Sequence, residues 1–282
     1  MKFGTSLLYE CNCVGPSVGE VSRAAERIGF ESLWAGDYPA IPTGLETTYP
    51  YREDGKFWLG GAVALPDPLI YLTHAAAVTK HIRIGTSVIG LPTRNPLILA
   101  KEIASLDNLS NGRVMLGVGV GWMREEFETL GVPFEGRGAR ADEYIVAMRE
   151  LWNESEASFE GRFISFKRLQ QYPKPVARIP LIIGGHTSAA ARRAGRLGDG
   201  FYPYVTDMVR LAPLLATMRE AAIEAGRDPA AIEVTVPSPR ERSEIEALKE
   251  HGVARVILPS QGIGLTPAEV IGKLERYAAR MF

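Results

Sequence analysis

Cysteine and histidine are scarce in this chain of 282 residues, which has two of the first and four of the second. Cys11 and Cys13 stand one residue apart, which is poor spacing for a disulfide, and two cysteines are too few for a structural zinc site. The histidines are scattered along the chain: His74, His81, His186 and His251. The sequence therefore predicts reduced thiols and no metal centre, and it disfavours metal-dependent hydrolysis.

An excess of charge and a long apolar run are also missing. With 32 basic and 33 acidic residues the formal net charge is −1, so the chain has no basic field and nucleic acid is not an expected partner. No uninterrupted apolar run approaches the roughly 20 residues that span a bilayer. The N-terminus, MKFGTSLLYE, lacks the apolar core of a signal peptide. We therefore expect a cytoplasmic protein without a membrane partner.

Short apolar segments recur along the chain, and segments with helical spacing follow them. Strands are predicted at 2–8, 32–35, 82–88, 113–120, 181–183, 200–204, 232–236 and 254–259. Helices are predicted at 18–28, 67–80, 96–109, 123–130 continuing at 139–152, 189–197, 209–225, 242–251 and 267–280. An aromatic-rich segment, 158–172, predicts a hairpin outside the main sheet.

Eight strands that alternate with helices predict a (β/α)₈ TIM barrel, with an open doubly wound sheet as the alternative. A hydrophobic content of 46% allows one large core, so we expect a single domain over residues 1–282. The segment 37–66, after the second strand, is a long insertion rich in Gly, Pro, Thr and aromatic residues. Loops of that length are usually functional, and this one predicts a lid.

In a TIM barrel the active site lies at the C-terminal ends of the strands. The positions that follow the predicted strands are Cys11, Cys13, Asp37, Tyr38, 87–92, 119–122, 184–187, 201–204, Pro237 and Ser260. They offer glycines, small hydroxyls and aromatic rings rather than a nucleophile with a neighbouring base. Such a surface suits a flat ring and a phosphate, so it predicts a site that leaves the chemistry to a cofactor.

The segment 179–204 predicts a strand, a glycine turn and a helix in succession. Gly184 and Gly185 end the strand, and Thr187 or Ser188 supplies an N-cap oxygen for the helix. Backbone N–H groups at the positive end of a helix bind anions, so the turn predicts a phosphate site. An ordinary tight loop, whose glycines only satisfy a positive φ, is the alternative.

A second glycine string, GVGVGW, occupies residues 117–122. It does not match the G-x-G-x-x-G pattern of dinucleotide folds, and glycines that make room inside a tapering barrel are the alternative to a ligand site. Arg137 and Arg140 stand at a predicted helix start, where the helix dipole disfavours cations. That position favours a specific anion partner, and plain surface arginines remain the alternative.

Several blocks together resemble the luciferase-like family of flavin-dependent oxidoreductases over residues 1–240. They are ESLWAGD, DPL, RIGTSVIGLPTRNPLILAKEIASLDNLSNGRVMLGVGVGW, RADEYIVAMRELW and IPLIIGGHTSAAARRAGRLGDGFYP, in the order of the family. Within the family, GWMREEFETLGVPFEGRGARADE is most similar to the branch that uses the deazaflavin coenzyme F420 instead of FMN with oxygen.

The resemblance implies a barrel with the tricyclic ring across the strand ends and its phosphate at the Gly184–Gly185 turn. It also implies a non-prolyl cis peptide at about Ser87–Val88 that presses on the ring, and it suggests a homodimer. The implied cofactor-binding residues are Ser87, Val88, Gly119, Gly121, Trp122, Gly184, Gly185, His186 and Thr187. Asp37 and Tyr38 are the candidate catalytic residues, while an exposed turn residue and a loop-covering aromatic are the alternatives for them.

The chain departs from relatives at two positions. Many deazaflavin relatives have His where this chain has Tyr38, and the branch that oxidises sugar phosphates has Glu where this chain has Trp122. A Tyr is a poor base at neutral pH but a usable donor, which favours reduction of a substrate over oxidation of an alcohol. We therefore expect F420-dependent hydride transfer between C5 of the ring and a small organic substrate. An FMN-dependent monooxygenase and a non-catalytic deazaflavin-binding protein are the alternatives.

Overall fold

In the computed structural model, a parallel barrel surrounded by helices forms the body of the molecule. The structure describes residues 1–7, 15–57, 63–259 and 264–282, without the side chains of residues 15 and 16. Cys11, Cys13 and Ser260 lie outside the described residues. The strands are β1 (Lys2–Ser6), β2 (Ser32–Ala35), β3 (Arg83–Thr86), β4 (Ile89–Gly90), β5 (Val114–Gly119), β6 (Ala157–Glu160), β7 (Ser165–Leu169), β8 (Leu181–Gly184), β9 (Gly200–Tyr202), β10 (Glu233–Pro237) and β11 (Val253–Leu258).

Eight of these strands close into a ring. The order is β3-β2-β1-β11-β10-β9-β8-β5, and β3 also pairs with β5 to complete the circle. All the pairs in the ring are parallel, as the helical connections between successive strands require. The predicted TIM barrel is confirmed, and the open doubly wound sheet is wrong.

Helices cover the outside of the barrel, and the predicted outer hairpin is confirmed as the antiparallel pair β6–β7. The helices are α1 (Gly15–Ile28), α2 (Pro68–Ala77), α3 (Pro96–Leu109), α4 (Arg124–Thr129), α5 (Arg137–Asn153), α6 (Ser188–Leu197), α7 (Met208–Glu224), α8 (Ser243–Glu250) and α9 (Pro267–Met281). Short polar side chains cap several of them, as in α2, where Asp67 accepts from Leu69 and Ile70. Among the described residues, no helix combines the length and apolar character that crossing a membrane requires.

The third predicted strand, 82–88, is not continuous. β3 ends at Thr86, the Ser87–Val88 peptide is cis, and the chain then resumes as β4, which pairs with the end of β5. The cis peptide that the resemblance implied is therefore present at the same two residues. It turns the chain at the C-terminal end of the barrel.

Trp34 fills the interior of the barrel. It is fully buried and packs with Met115, Ile182, Tyr202 and Ile257. A Cβ on Gly4 would lie 2.7 Å from the Trp34 indole, and one on Gly85 would lie 2.6 Å from it. The indole therefore requires glycine on both neighbouring strands, and this cluster forms a floor beneath the C-terminal end.

Arg255 lies at the opposite, N-terminal end and is also fully buried. Its guanidinium donates two hydrogen bonds of 2.9 Å to Glu31 and a further one to Glu233, and it stands 5.6 Å from the centre of the Trp34 ring. Burial raises the pKa of Glu31, but the hydrogen bonds and charge of Arg255 outweigh burial and lower it. This end of the barrel is closed by charges that satisfy one another.

Candidate active site

A cavity of about 810 Å³ opens at the C-terminal end of the barrel, within the range of roughly 300–1,000 Å³ that is usual for ligand pockets. All eleven site residues expected from the sequence line it: Asp37, Tyr38, Ser87, Val88, Gly119, Gly121, Trp122, Gly184, Gly185, His186 and Thr187. The structure therefore brings together residues from four separate parts of the chain. Their individual roles stay predictions.

Val88 and the glycine string form one packing unit in the cavity wall. A Cβ on Gly117 would lie 1.9 Å from the carbonyl oxygen of Thr86, and one on Gly119 or Gly184 would lie 2.9 Å from a Val88 methyl group. The glycines thus make room for Ser87 and Val88, the two residues between β3 and β4, which we call the Val88 bulge. These glycines also leave bare backbone in the cavity wall. The string can therefore both make room inside the barrel and contribute to a ligand site.

Asp37 is held by an arginine instead of facing the cavity as a free carboxylate. Arg94 donates to both Asp37 oxygens, at 3.2 and 2.7 Å, and to Asp67 at 2.7 Å. The Asp37 side chain is 1% exposed; burial raises its pKa, and the hydrogen bonds and charge of Arg94 oppose that rise. Asp37 is therefore suited to positioning the segment after β2.

The glycine turn after β8 leads directly into α6, as the sequence predicts. Gly185 has a φ of +119° and donates its N–H to Tyr202 at 3.2 Å. The Thr187 hydroxyl accepts from the N–H of Ala190 at 3.2 Å, which makes Thr187 the N-cap. The first turn of α6 therefore begins in the cavity wall with backbone N–H groups directed toward its N-terminal end.

His186 follows this turn, and its buried Nδ1 has no hydrogen-bond partner in the part of the chain that the structure describes. Its ring lies 4.7 Å from that of Tyr51. Burial, followed by the charge of Arg210, lowers the pKa of His186, so the imidazole is neutral at pH 7. A neutral ring can donate or accept a hydrogen bond toward the cavity.

A second helix, α5, also begins at the cavity, and its N-cap, Gly136, has no side chain to satisfy the first amides. Arg137 lines the cavity, donates to the Gly121 carbonyl at 3.2 Å and lies 3.7 Å from the Phe134 ring centre. Arg140 differs, since it is buried, donates to the Pro133 carbonyl at 2.8 Å and faces Phe163. Of the two arginines that the sequence singled out, Arg137 alone lines the cavity.

Arg193 is a lining cation that sequence reasoning missed. It is 8% exposed, forms an ion pair with Asp142 of α5 and donates to the Gly138 carbonyl at 3.1 Å. On the sequence it is one of several arginines in an Ala/Arg-rich helix. Only the packing of α6 against α5 places it at the cavity.

Aromatic rings cover the cavity from the segment after β2. Tyr38 and Phe57, Tyr49 and Phe57, Tyr49 and Trp122, and Phe57 and Trp122 have ring centres 5.1–5.3 Å apart. Burial raises the pKa of Tyr38, as do the neighbouring tyrosines and Glu126, so its phenol keeps its proton at neutral pH. Among the described residues of 36–67, none belongs to a helix or strand.

Glu125, on α4, attaches this segment to the barrel. Its carboxylate accepts from the N–H groups of Glu46 and Thr47, each at 2.8 Å, and from the Thr47 hydroxyl at 2.7 Å. Although desolvation raises it, these hydrogen bonds lower the pKa of Glu125 to about 2. The attachment therefore holds across the neutral range.

Glu126, the next residue, also lines the cavity but has the opposite environment. It is 7% exposed, and no described residue hydrogen-bonds its Oε1. Burial and the nearby charge of Asp37 raise its pKa to about 7. Sequence reasoning missed it, because two acidic residues at a helix start are typical of a solvated first turn that favours the helix dipole.

Among the residues that the structure describes, no group of three or more His, Cys, Asp or Glu side chains is placed to hold a metal ion. The cavity instead joins bare glycine backbone, two helix N-termini, two arginines and an aromatic cover. This arrangement can hold a flat ring with an anionic substituent and exclude water from it.

The chain is similar to known proteins in sequence and in fold. The model of the luciferase-like monooxygenase family matches residues 1–240. An uncharacterized protein of Mycobacterium tuberculosis is 34% identical over 239 residues, or 84% of this chain and 83% of that protein. The F420-dependent glucose-6-phosphate dehydrogenase of Amycolatopsis mediterranei is 34% identical over 186 residues, or 64% of this chain and 51% of that enzyme.

Two solved structures share the fold. Monooxygenase RslO1 from Streptomyces bottropensis has a TM-score of 0.79 at 22% identity. The coenzyme F420-dependent tetrahydromethanopterin reductase from Methanopyrus kandleri has a TM-score of 0.78 at 18% identity. Each covers 99% of this chain and 98% of its own. At these identities the likeness concerns the fold alone, and the family follows from the match over residues 1–240: the chain belongs to the luciferase-like monooxygenase family.

Proposed function

We propose that this protein is an F420-dependent oxidoreductase that reduces a small organic substrate by hydride transfer. The observation that carries the proposal is the single cavity in which the Val88 bulge, the bare glycine backbone and the N-termini of α5 and α6 meet. A relative that is 34% identical is F420-dependent, which supports the choice of cofactor. When bound, F420 supplies a hydride donor and acceptor at C5 of its ring.

The residues of the cavity fit such a cofactor. A Cβ on Gly119 or Gly184 would collide with Val88, so the wall beside the bulge is flat backbone against which a ring can lie. Val88 would support one face of the ring, while the aromatic cover formed by Tyr38, Tyr49 and Trp122 would close the site. Ser87 lines the same wall.

The phosphate of the cofactor would bind where α5 and α6 begin. Gly185, His186 and Thr187 present the turn before α6, and the first amides of α5 have no side-chain cap. Helix N-termini favour anions. Arg137 and Arg193 add positive charge in the wall, and Arg137 is the candidate for the acidic tail.

Asp37 and Tyr38 would act in different ways. Asp37 would be a positioning residue, because its carboxylate is committed to Arg94 and so fixes the start of the cover. Tyr38 would contact the substrate as a hydrogen-bond donor, since its raised pKa keeps the phenol protonated. Neither group is suited to abstract a proton at neutral pH.

We also propose a cytoplasmic location, a single domain over residues 1–282 and a homodimer. The balanced charge of the chain supports the absence of a nucleic-acid partner.

Anaerobic mixing of the protein with reduced F420 and a panel of carbonyl compounds tests the function. We expect the absorbance of oxidised F420 to return only when both protein and acceptor are present. Oxygen-dependent turnover with reduced FMN, and none with reduced F420, would replace the proposal with a monooxygenase. Tight F420 binding without turnover by any acceptor would favour a non-catalytic binding protein.

A further inference from the structure

Glu126 is a buried carboxyl in the cavity wall, and within the described part of the chain its Oε1 has no hydrogen-bond partner. Its neighbour Glu125, in contrast, uses both oxygens to hold residues 46 and 47. A buried polar atom without a partner lowers stability. Glu126 itself lines the cavity, so a ligand bound there would lie beside this side chain.

Among the described residues, the groups that act on the Glu126 carboxyl include no cation that is committed to it alone. Asp37 and Tyr38 face it from the end of β2, and the amide of Ala40 hydrogen-bonds its carboxyl. Arg94 is the nearby cation, but its guanidinium is shared between Asp37 and Asp67. The carboxyl is therefore destabilised as an anion by burial and by Asp37, with weaker opposition from Ala40 and Arg94.

We propose that Glu126 donates the proton that accompanies hydride transfer to a carbonyl acceptor. This inference rests on the proposed function. The carbonyl carbon gains the hydride from reduced F420, and the electron pair of the broken C–O π bond moves to oxygen. That oxygen takes the proton of the Glu126 carboxyl, so the products are an alcohol, oxidised F420 and a Glu126 carboxylate. The remaining N–H proton of the dihydro ring is released to solvent, and solvent reprotonates Glu126.

Glu126 suits this step better than the other two acidic groups at the site. Proton transfer is most efficient when the pKa of the donor is near the working pH, and burial raises the pKa of Glu126 to about 7. The raised pKa of Tyr38 makes the phenol a weaker acid. Asp37 is tied to Arg94 as an ion pair.

The first test uses the protein without cofactor and compares wild type with Glu126→Gln. Glu128→Gln is the matched control, since Glu128 is exposed on the same helix. We expect an infrared carbonyl band of a protonated carboxyl that disappears with a midpoint near pH 7 in wild type and in the control. Absence of such a band from wild type, or its persistence in Glu126→Gln, overturns the proposal.

Thermal unfolding across pH gives the same answer independently. The folded protein keeps the Glu126 proton up to about pH 7, while the unfolded chain releases it near the ordinary value of 4.5. This group therefore makes stability fall as pH rises through that window. Glu126→Gln lacks this titrating group, so the Tm of the variant should rise relative to the Tm of wild type as the pH increases toward 8. The Tm of Glu128→Gln should change with pH as that of wild type does. A constant Tm difference between Glu126→Gln and wild type contradicts the proposal.

The second test measures single-turnover oxidation of reduced F420 by 2-cyclohexen-1-one and by benzaldehyde. For wild type we expect the rate to fall as pH rises through about 7. Glu126→Gln should be slower by about 10²-fold or more, lose that pH dependence and keep its F420 affinity. An unchanged rate and pH profile in this variant overturns the donor role.

The outcomes separate this inference from the proposed function. If wild type does not bind F420, the proposed function fails, although the infrared titration still reports on the Glu126 carboxyl. If wild type reduces the acceptors and Glu126→Gln does so equally well, only the donor role fails. If wild type binds F420 but reduces neither acceptor, the donor role toward carbonyl acceptors is overturned.

Discussion

At the N-terminal end of the barrel, Arg255 is fully buried between two glutamates, whereas at the C-terminal end Glu126 is buried with one oxygen unpartnered. The first arrangement is complete without any other molecule. The second leaves one carboxyl oxygen without a hydrogen-bond partner among the described residues. Five buried side-chain atoms of the described residues lack a partner, and two of the five belong to Glu126 and His186, which are residues of the cavity wall.

The difference separates groups that stabilise the barrel from groups available for chemistry. In TIM barrels the N-terminal face serves stability and the C-terminal face serves catalysis. Arg255 shows the first case, since it links β2, β10 and β11 through Glu31 and Glu233. At the C-terminal face, burial and the charge of Asp37 raise the pKa of Glu126 against weaker opposition from Ala40 and Arg94. A perturbed pKa in a cavity wall marks a candidate for chemistry.

Removing the buried cation should have the largest effect. Arg255→Met removes the buried guanidinium from both Glu31 and Glu233 at the N-terminal end of the barrel and leaves Glu233 with the partly exposed Lys2. Breaking a buried ion pair on one side costs about 3–5 kcal/mol. We expect the free energy of unfolding to fall by that amount in denaturant titrations, with F420 affinity retained in the folded protein. A decrease of the free energy of unfolding by less than about 1 kcal/mol, the contribution of an exposed ion pair, would contradict this expectation.

A change at the other end should affect binding more than stability. Gly185→Ala adds a Cβ 3.1 Å from that of Ala190 at a φ of +119°, in the turn that we assign to the phosphate. We expect F420 affinity to fall about tenfold or more, or about 1.4 kcal/mol, in equilibrium titrations.

Gly226→Ala is the control for this substitution. Gly226 also has a positive φ, +67°, and a Cβ there would have no atom within 4 Å. It should lose stability through its backbone conformation and bind F420 as wild type does. Equal F420 affinities of the two variants would contradict the assignment of the phosphate to the Gly185 turn.

Weakening the attachment of the segment after β2 to α4 should have a smaller effect. Glu125→Gln weakens the hydrogen bonds to residues 46 and 47, and charge-assisted bonds of this kind contribute about 1.5–3 kcal/mol when partners are lost completely. Since glutamine keeps one acceptor oxygen, we expect cleavage of the segment 38–57 in limited proteolysis to be about fivefold faster, or about 1 kcal/mol. Glu128→Gln should leave the cleavage rate unchanged.

The pH dependence of the same segment follows from the lowered pKa of Glu125. Its contribution is present above the ordinary value of 4.5 and is lost as pH falls toward about 2. Wild type should therefore become more sensitive to an acid protease across that window, and Glu125→Gln should show no such transition. A shared transition in both proteins would assign it to another group.

The smallest effect is expected at the edge of the buried cluster. Lys2 pairs with the same Glu233 as Arg255 does, but its side chain is 45% exposed. Exposed pairs contribute about 0.2–1 kcal/mol, so Lys2→Met should change the free energy of unfolding by no more than that. A loss comparable to that of Arg255→Met would mean that burial is not what distinguishes the two cations.

The barrel could be predicted from the sequence because its signals are local. The apolar segments at 32–35 and 181–183 coincide with β2 and with most of β8, and the glycine turn and Thr187 cap lie where their chemistry indicates. The continuous third strand was wrong, since the resemblance and not periodicity pointed to the interruption at Ser87–Val88.

The parts of the site that the sequence did not predict depend on contacts between residues that are far apart in the sequence. Arg94 meets Asp37 and Asp67 across 57 and 27 residues, and nothing near Arg94 in the sequence indicates those partners. Glu125 and Glu126 are identical neighbours that the fold gives opposite environments. Only the packing of residues 37–57 over α4 determines which of the two is buried.

Equilibrium titration of the purified protein with F420 and with FMN tests the central claim most directly, because the cofactor determines the class of reaction. A cavity with two helix N-termini and two arginines suits the anionic substituents of F420. We predict that F420 binds at least about tenfold more tightly than FMN, a difference of about 1.4 kcal/mol. FMN binding in the micromolar range, with F420 weaker by about the same factor, would contradict the account and identify a flavin monooxygenase.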